Sequence, residues 1–200
     1  MTITYEYNNS LYVNITNRCS NACTFCVRNN HDNVNGKDNL WLEREPSVEE
    51  IIDDFRQREL SKYDAVVFCG YGEPTERFED LIAVAKWLRT EHPSLKIRIN
   101  TNGQANMIHG RDVTPEMAGL IDCVSISLNA ENAEKYQDLC RSKFGEAAFT
   151  GLQDFAVLAK RYVPEVVFSV VDIMSSDEIE ACAEIAERCG VKFRVRAFIE

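Results

Sequence analysis

The spacing of hydrophobic and polar positions changes repeatedly along this chain. Short runs that alternate apolar and polar residues, or are continuously β-branched, give way to longer stretches in which apolar residues return every three or four positions. The first period belongs to a strand and the second to an amphipathic helix. Residues 2–7 and 11–16 alternate on either side of Asn8-Asn9-Ser10, which predicts a hairpin whose second arm is the first strand of the core. Ser47-x-x-Glu50 is a capping-box pattern, followed by Val48, Ile51, Ile52 and Phe55 at helical spacing to about residue 61. Further strands are predicted at 64–69, 96–100, 123–128, 166–171 and 192–198. Further helices are predicted at 78–91, 131–141, 145–161 and from the Ser175-x-x-Glu178 cap to Gly190, with a short one opening at Thr114-Pro115-Glu116.

Strands that alternate with helices are joined by crossovers and lie parallel, so the fold class is α/β. Six such strands form a partial (βα)6 barrel of the TIM type, two units short of the eightfold form. No Ser/Gly/Pro-rich linker, internal repeat or low-complexity segment divides residues 1–200, and a single domain is expected.

The most informative stretch is NRCSNACTFCVR, residues 17–28, which places Cys19, Cys23 and Cys26 in a C-x3-C-x2-C spacing just past the carboxyl end of the first core strand. Active sites of barrels assemble at that edge. No basic and apolar leader precedes the first strand, so a cytoplasmic location is expected, where the eight cysteines serve metals, catalysis or packing rather than disulfides. Two metals suit the spacing: a structural zinc completed by His31, or a [4Fe-4S] cluster on three thiolates with one iron left open.

Three motifs in order resemble the radical S-adenosylmethionine (SAM) superfamily. They are the cysteine spacing with Phe25 before its last member, Gly70-Tyr71-Gly72-Glu73-Pro74 after the strand at 64–69, and Thr101-Asn102-Gly103 after the strand at 96–100. A narrower resemblance, to small TatD-linked radical SAM proteins, rests on NITNRCSNACTFCVRNN, CGYGEPTE, RINTNGQAN, SISLNAENAEKY and KFRVR. It brings no substrate with it. The superfamily resemblance implies the partial barrel, a [4Fe-4S] cluster on Cys19, Cys23 and Cys26, and SAM chelated to the open iron. It also implies reductive cleavage to methionine and a 5′-deoxyadenosyl radical that abstracts hydrogen from a substrate. A flavodoxin or ferredoxin donor and sensitivity to oxygen follow from that chemistry.

Site residues follow from the same resemblance, each beside a plainer reading. Gly70 and Gly72 let the backbone approach a ligand, with Glu73 holding the methionyl ammonium, or they mark an ordinary turn. Asn102 offers its amide to the ribose or carboxylate of SAM, or closes a Thr-Asn-Gly turn. Ser125 and Ser127 share a face, which is interior if Val124, Ile126 and Leu128 pack against helices, so that Ser127 and Asn129 are ribose contacts; Asn129 is equally placed to cap a helix. Arg141 pairs with the SAM carboxylate or neutralises an acidic surface. Phe25 packs against cluster or adenine.

Arg194 and Arg196 share one face of the last strand, and an interior position would call for a phosphate or carboxylate on the substrate. Residues 27–45 form a long loop whose His31, Lys37 and Trp41 are candidate substrate contacts, and His109-Gly110-Arg111 is a weaker one. Cys182 and Cys189 read as core, Cys123 lies at the far end of its strand, and Cys69 and Cys140 lie toward the active edge.

Net charge narrows the partners. With 22 basic and 32 acidic residues the chain carries a formal charge of −10, which excludes a surface built to neutralise many phosphates; bulk nucleic-acid binding and a membrane role are not expected. A small-molecule or nucleotide-like substrate is. Two alternatives stand beside the SAM-cleaving enzyme: an activase that installs a glycyl radical on a protein partner, and a zinc-stabilised, non-catalytic module for a TatD-type hydrolase.

Overall fold

A computed structural model describes residues 1–29 and 37–197. Seven strands form one sheet in chain order: β1 (Thr4–Tyr7), β2 (Ser10–Val13), β3 (Ala65–Phe68), β4 (Lys96–Thr101), β5 (Cys123–Ser127), β6 (Glu165–Val171) and β7 (Lys192–Arg196). β1 is antiparallel to β2, through a hairpin in which Asn8 takes the left-handed conformation at φ 50°. From β2 to β7 every pairing is parallel, giving the six-strand partial barrel expected from the pattern.

The strands alternate as their sequences require. Val66, Phe68, Ile97, Ile99, Val124, Ile126 and Phe168 are buried against the helices. Their neighbours Asn100, Ser125, Ser127 and Ser169 turn to the interior of the barrel and line its cavity. The covering helices are α1 (Val48–Arg56), α2 (Phe78–Glu91), α3 (Ala105–His109), α4 (Ala133–Cys140), α5 (Ala147–Ala159) and α6 (Ser176–Cys189). Both predicted capping boxes are present: Ser47 Oγ accepts from Glu50 N–H while Glu50 accepts from Ser47 N–H, and Ser175 and Glu178 repeat the arrangement.

Local departures have local causes. α1 ends at Arg56, and Leu60–Lys62 forms a separate 3-10 turn, because only Leu60 of that stretch is buried and no continuous apolar stripe extends the helix. Thr114–Met117 is likewise a 3-10 turn, too short for a helical stripe to form. α3 carries no amphipathic repeat; a single turn follows Gln104 and closes at Gly110, with φ 63°. Among the described residues no helix is long and apolar enough to cross a membrane.

Candidate functional site

After β2 the chain enters the cysteine loop, which is held from three directions. α4 ends with carbonyls that have no partner inside the helix. The loop supplies them: Ala22 N–H donates to the Cys140 carbonyl at 3.0 Å and Thr24 N–H to that of Leu139 at 2.9 Å. The Arg28 guanidinium folds back onto the carbonyls of Asn21 and Tyr71, each at 3.2 Å. Beneath the loop Gln104 Nε2 donates to Asn21 Oδ1 at 2.8 Å and to Tyr136 Oη at 3.0 Å, and Ser142 Oγ donates to Gln104 Oε1 at 3.0 Å. All four of those side chains are buried, so the network fixes the loop in low dielectric.

Cys19, Cys23 and Cys26 are free thiols, half-buried, on one wall of a cavity of ≈ 260 Å³. Burial pushes the Cys19 thiol up to about 12, with the negative charge of Glu73 adding to the effect. Cys23 is raised mainly by its hydrogen bond to Cys140 and then by burial, and Cys26 is raised by burial. Protonated thiols must lose their protons to any metal they bind.

The loop after β3 forms the adjacent wall. A Cβ on Gly70 would overlap the Asn14 side chain, and one on Gly72 would overlap the carbonyls of Thr16 and Arg18. The close approach of two protein loops therefore demands both glycines, neither of which carries a positive φ, and both also line the cavity. Glu73 is buried, and its carboxylate accepts from Thr75 N–H at 3.0 Å, Thr75 Oγ1 at 2.7 Å, Thr101 Oγ1 at 2.7 Å and Asn102 N–H at 2.6 Å. Burial raises its pKa, and those hydrogen bonds pull against the rise. The carboxylate is a brace between the loops after β3 and β4.

Asn102 also serves the scaffold. Its Nδ2 donates to Ser20 Oγ at 2.7 Å and its Oδ1 accepts from Gln104 N–H at 3.0 Å, so an amide expected to meet SAM ties the loop after β4 to the cysteine loop. It still lines the cavity, as do Phe25, Gly70, Gly72 and Glu73.

The facing wall comes from the later strands. Ser125 and Ser127 point inward as the alternation implies, and Asn129 stands beyond them. Asn129 is not a helix cap: α4 is capped by Asn132, whose side chain accepts from Lys135 N–H. It adopts φ 57°, a conformation that Asn tolerates better than most residues. Its Oδ1 is buried without a hydrogen-bond partner among the described residues, while Nδ2 lies 3.9 Å from Cys140 Sγ. A buried carbonyl oxygen without a partner is costly until a donor reaches it.

Arg194 and Arg196 line the same cavity, which settles their face as interior. They are not deeply buried, because β7 is the edge of an open barrel: Arg194 is exposed and Arg196 half-buried. Burial lowers the pKa of both, and repulsion from Arg98 adds to it at Arg194.

Other expected contacts are not brought to the cavity. Arg141 is exposed at the C-terminal cap of α4, with φ 47°, outside the lining. His109 Nε2 lies 2.8 Å from the Thr75 carbonyl and its ring packs on Phe78, while Arg111 pairs with Glu79 and Glu116; these are contacts within the helical layer. Trp41 sets its edge against the Tyr71 ring, centroids 5.1 Å apart, and anchors the chain after the long loop. Lys37 is exposed outside the lining, and His31 lies outside the described residues. Cys182 and Cys189 are core, as read.

Three features escaped the sequence reading. Arg98 shares the inward face of β4 with Asn100, a position that the alternation in KIRIN implies. The Asn21–Gln104–Tyr136–Ser142 network joins four separated segments and leaves no local signature. Cys140, placed only roughly at the active edge, lies directly against Cys23.

Three thiols on one protein wall supply a donor set that suits an iron-sulfur cluster with an open position. The orphaned Asn129 oxygen across the cavity suits the hydroxyls or ammonium of a polar ligand.

The profile of the radical SAM superfamily matches residues 13–186. No curated protein matches the chain. Solved structures do. A radical SAM methyltransferase from Sphaerobacter thermophilus is 20% identical with a TM-score of 0.59 over 97% of this chain and 57% of its own. SuiB from Streptococcus suis, solved with S-adenosylmethionine, is 16% identical with a TM-score of 0.60 over 96% and 38%. Methylornithine synthase is 14% identical with a TM-score of 0.62 over 94% and 53%. At those identities the likeness shows the fold, and the chain spans about half the length of these proteins or less. With the cysteine loop, the Gly-rich loop and the partial barrel in their expected order, the chain belongs to the radical SAM superfamily.

Proposed function

We propose that this chain is an enzyme that holds a [4Fe-4S] cluster on Cys19, Cys23 and Cys26 and cleaves SAM at it to start radical chemistry on a substrate in the same cavity. When bound, the cluster supplies the electron that splits SAM into methionine and the 5′-deoxyadenosyl radical that removes hydrogen from the substrate. The observation that carries the reading is the convergence on one cavity of three free thiols, the loop braced by Glu73 and the unpartnered Asn129 oxygen.

The residues divide the remaining work. Glu73, with its four hydrogen bonds already made, sets the course of the loop at residues 70–74, whose backbone faces the amino-acid end of SAM. Asn129 Oδ1 takes a donor from the ribose, Ser127 stands beside it, and Phe25 packs against the adenine side. Arg141 stands outside the cavity lining and is given no role in this reading. A flavodoxin or ferredoxin type donor delivers electrons, and a TatD-type hydrolase is the candidate associate. The zinc reading takes His31 as its fourth ligand, which lies outside the described residues.

The test is anaerobic reconstitution with iron and sulfide, reduction, and electron paramagnetic resonance with and without SAM. A reduced-cluster signal that shifts when SAM is added supports the proposal. A loaded cluster whose signal SAM leaves unchanged contradicts it, as does a protein that binds zinc and no iron.

A further inference from the structure

Three guanidiniums line the interior of the barrel, and among the described residues none of them is paired with a carboxylate. The outer layer handles its arginines differently: Arg77 is paired with Asp80 at 2.6 Å and Arg89 with Asp122, although both are well buried. In a chain of charge −10, carboxylates are plentiful. Among the described residues none of them forms an ion pair with the interior arginines. Glu165, the acid that acts on both Arg98 and Arg194, is engaged by Lys192 at the lower rim of the barrel.

The register places the three at different depths. Arg196 is opposite Val171 near the cysteine loop, Arg194 opposite Ser169 one step lower, and Arg98 opposite Cys123 near the base. Two of them are already aimed. Arg98 Nε donates to Asn100 Oδ1 at 2.8 Å and Arg194 Nη2 donates to Ser125 Oγ at 3.2 Å, while Asn100 and Ser125 are register partners on adjacent strands. Both guanidiniums therefore converge on one layer of the barrel, below the thiols, and their remaining N–H groups have no protein acceptor among the described residues. The half-buried Tyr12 faces them from β2.

We infer that Arg98 and Arg194, with Ser125 between them, form a phosphate subsite, and that the substrate of this enzyme is a phosphate ester held by that group on the inner face of the barrel, below the thiols. Two adjacent guanidiniums match the nearly two negative charges of a phosphate monoester at neutral pH, whereas a carboxylate would leave one cation uncompensated. The inference deepens the proposed function: with the phosphate at this layer, the carbon skeleton of the substrate extends upward to the level of Arg196 and the thiols.

The test titrates inorganic phosphate into the cluster-loaded protein and follows the 31P resonance. Saturable binding is expected, weakened about 10-fold or more by Arg98→Gln and by Arg194→Gln, and retained within a few-fold by Arg194→Lys. Circular dichroism of each variant separates lost binding from lost folding. Absence of saturable binding, or binding by either Gln variant equal to that of the unmodified protein, overturns the inference. So does displacement of phosphate by SAM, which would assign the arginines to the SAM carboxylate. Formation of 5′-deoxyadenosine by the same unmodified preparation is scored separately. Phosphate binding without the nucleoside keeps the subsite and sinks the SAM reading; the nucleoside without phosphate binding does the reverse.

Discussion

The two walls of the cavity are built on opposite principles. On the wall made by the cysteine loop and the loops after β3 and β4, polar side chains are consumed by the protein: Glu73 accepts four hydrogen bonds, Asn102 donates and accepts, and Gln104, Asn21 and Tyr136 close on one another. On the wall made by the inward faces of β4 to β7, Asn129 Oδ1 has no hydrogen-bond partner and the guanidiniums of Arg98, Arg194 and Arg196 form no ion pair among the described residues. Folding satisfies most polar groups of the first wall, with Asn14 Oδ1 beside Gly70 the exception among the described residues. The second leaves polar groups open to a ligand, and desolvated polar groups without partners are where binding energy is stored.

The comparison breaks most visibly at the thiols. Replacing Cys19, Cys23 or Cys26 by Ala is expected to lower iron content to background and abolish SAM cleavage, whereas Cys182→Ala, in the core, keeps the iron and loses only stability, by about 1 kcal/mol or more. Iron quantification after reconstitution reads both. Gly72→Ala forces a methyl group into the Thr16 and Arg18 carbonyls and should cost about 3 kcal/mol in chemical denaturation, showing that the first wall is held by backbone packing. Glu73→Gln replaces an acceptor of four donors with a group that carries donors of its own. A loss of about 2 kcal/mol is expected, with weakened SAM binding as a consequence of the displaced loop.

The mildest change tests the second wall. Asn129→Gly keeps the left-handed backbone and removes the orphan oxygen, so it should leave the denaturation midpoint nearly unchanged while weakening SAM about 10-fold. Equal SAM affinity, measured by equilibrium dialysis under anaerobic conditions, would mean that Asn129 is structural and that the contrast between the walls is misplaced.

The legibility of this molecule in its sequence follows the same division. The strands, the two capping boxes and the order of the motifs are local patterns, and the alternation put Ser125 with Ser127 and Arg194 with Arg196 on shared faces, which the fold turns to the cavity. The division of labour among the site residues is not local. Glu73 and Asn102 looked like ligand contacts because a carboxylate and an amide at strand ends are chemically suited to that. Only the fold brings Thr75, Thr101 and Ser20 to them and spends those groups. Gly70 and Gly72 were marked by the sequence as close-approach positions, yet what approaches is the loop carrying Asn14, Thr16 and Arg18, some 55 residues earlier. Arg141 reads as a candidate for its charge and its place after a helix, and the left-handed cap turns it to solvent. Arg98 was within reach of the alternation in KIRIN and shows that polar residues on the inward face of a partial barrel are worth naming even at its base.

The central claim is that the first wall, loaded with its cluster, cleaves SAM. The direct measurement is chromatography for 5′-deoxyadenosine after anaerobic reconstitution, reduction with dithionite and addition of SAM, run beside the Cys19/Cys23/Cys26 triple alanine variant and repeated with a panel of phosphate esters. The account predicts the nucleoside from the unmodified protein and none from the variant. A fully loaded cluster that yields no nucleoside under any of these conditions would contradict it.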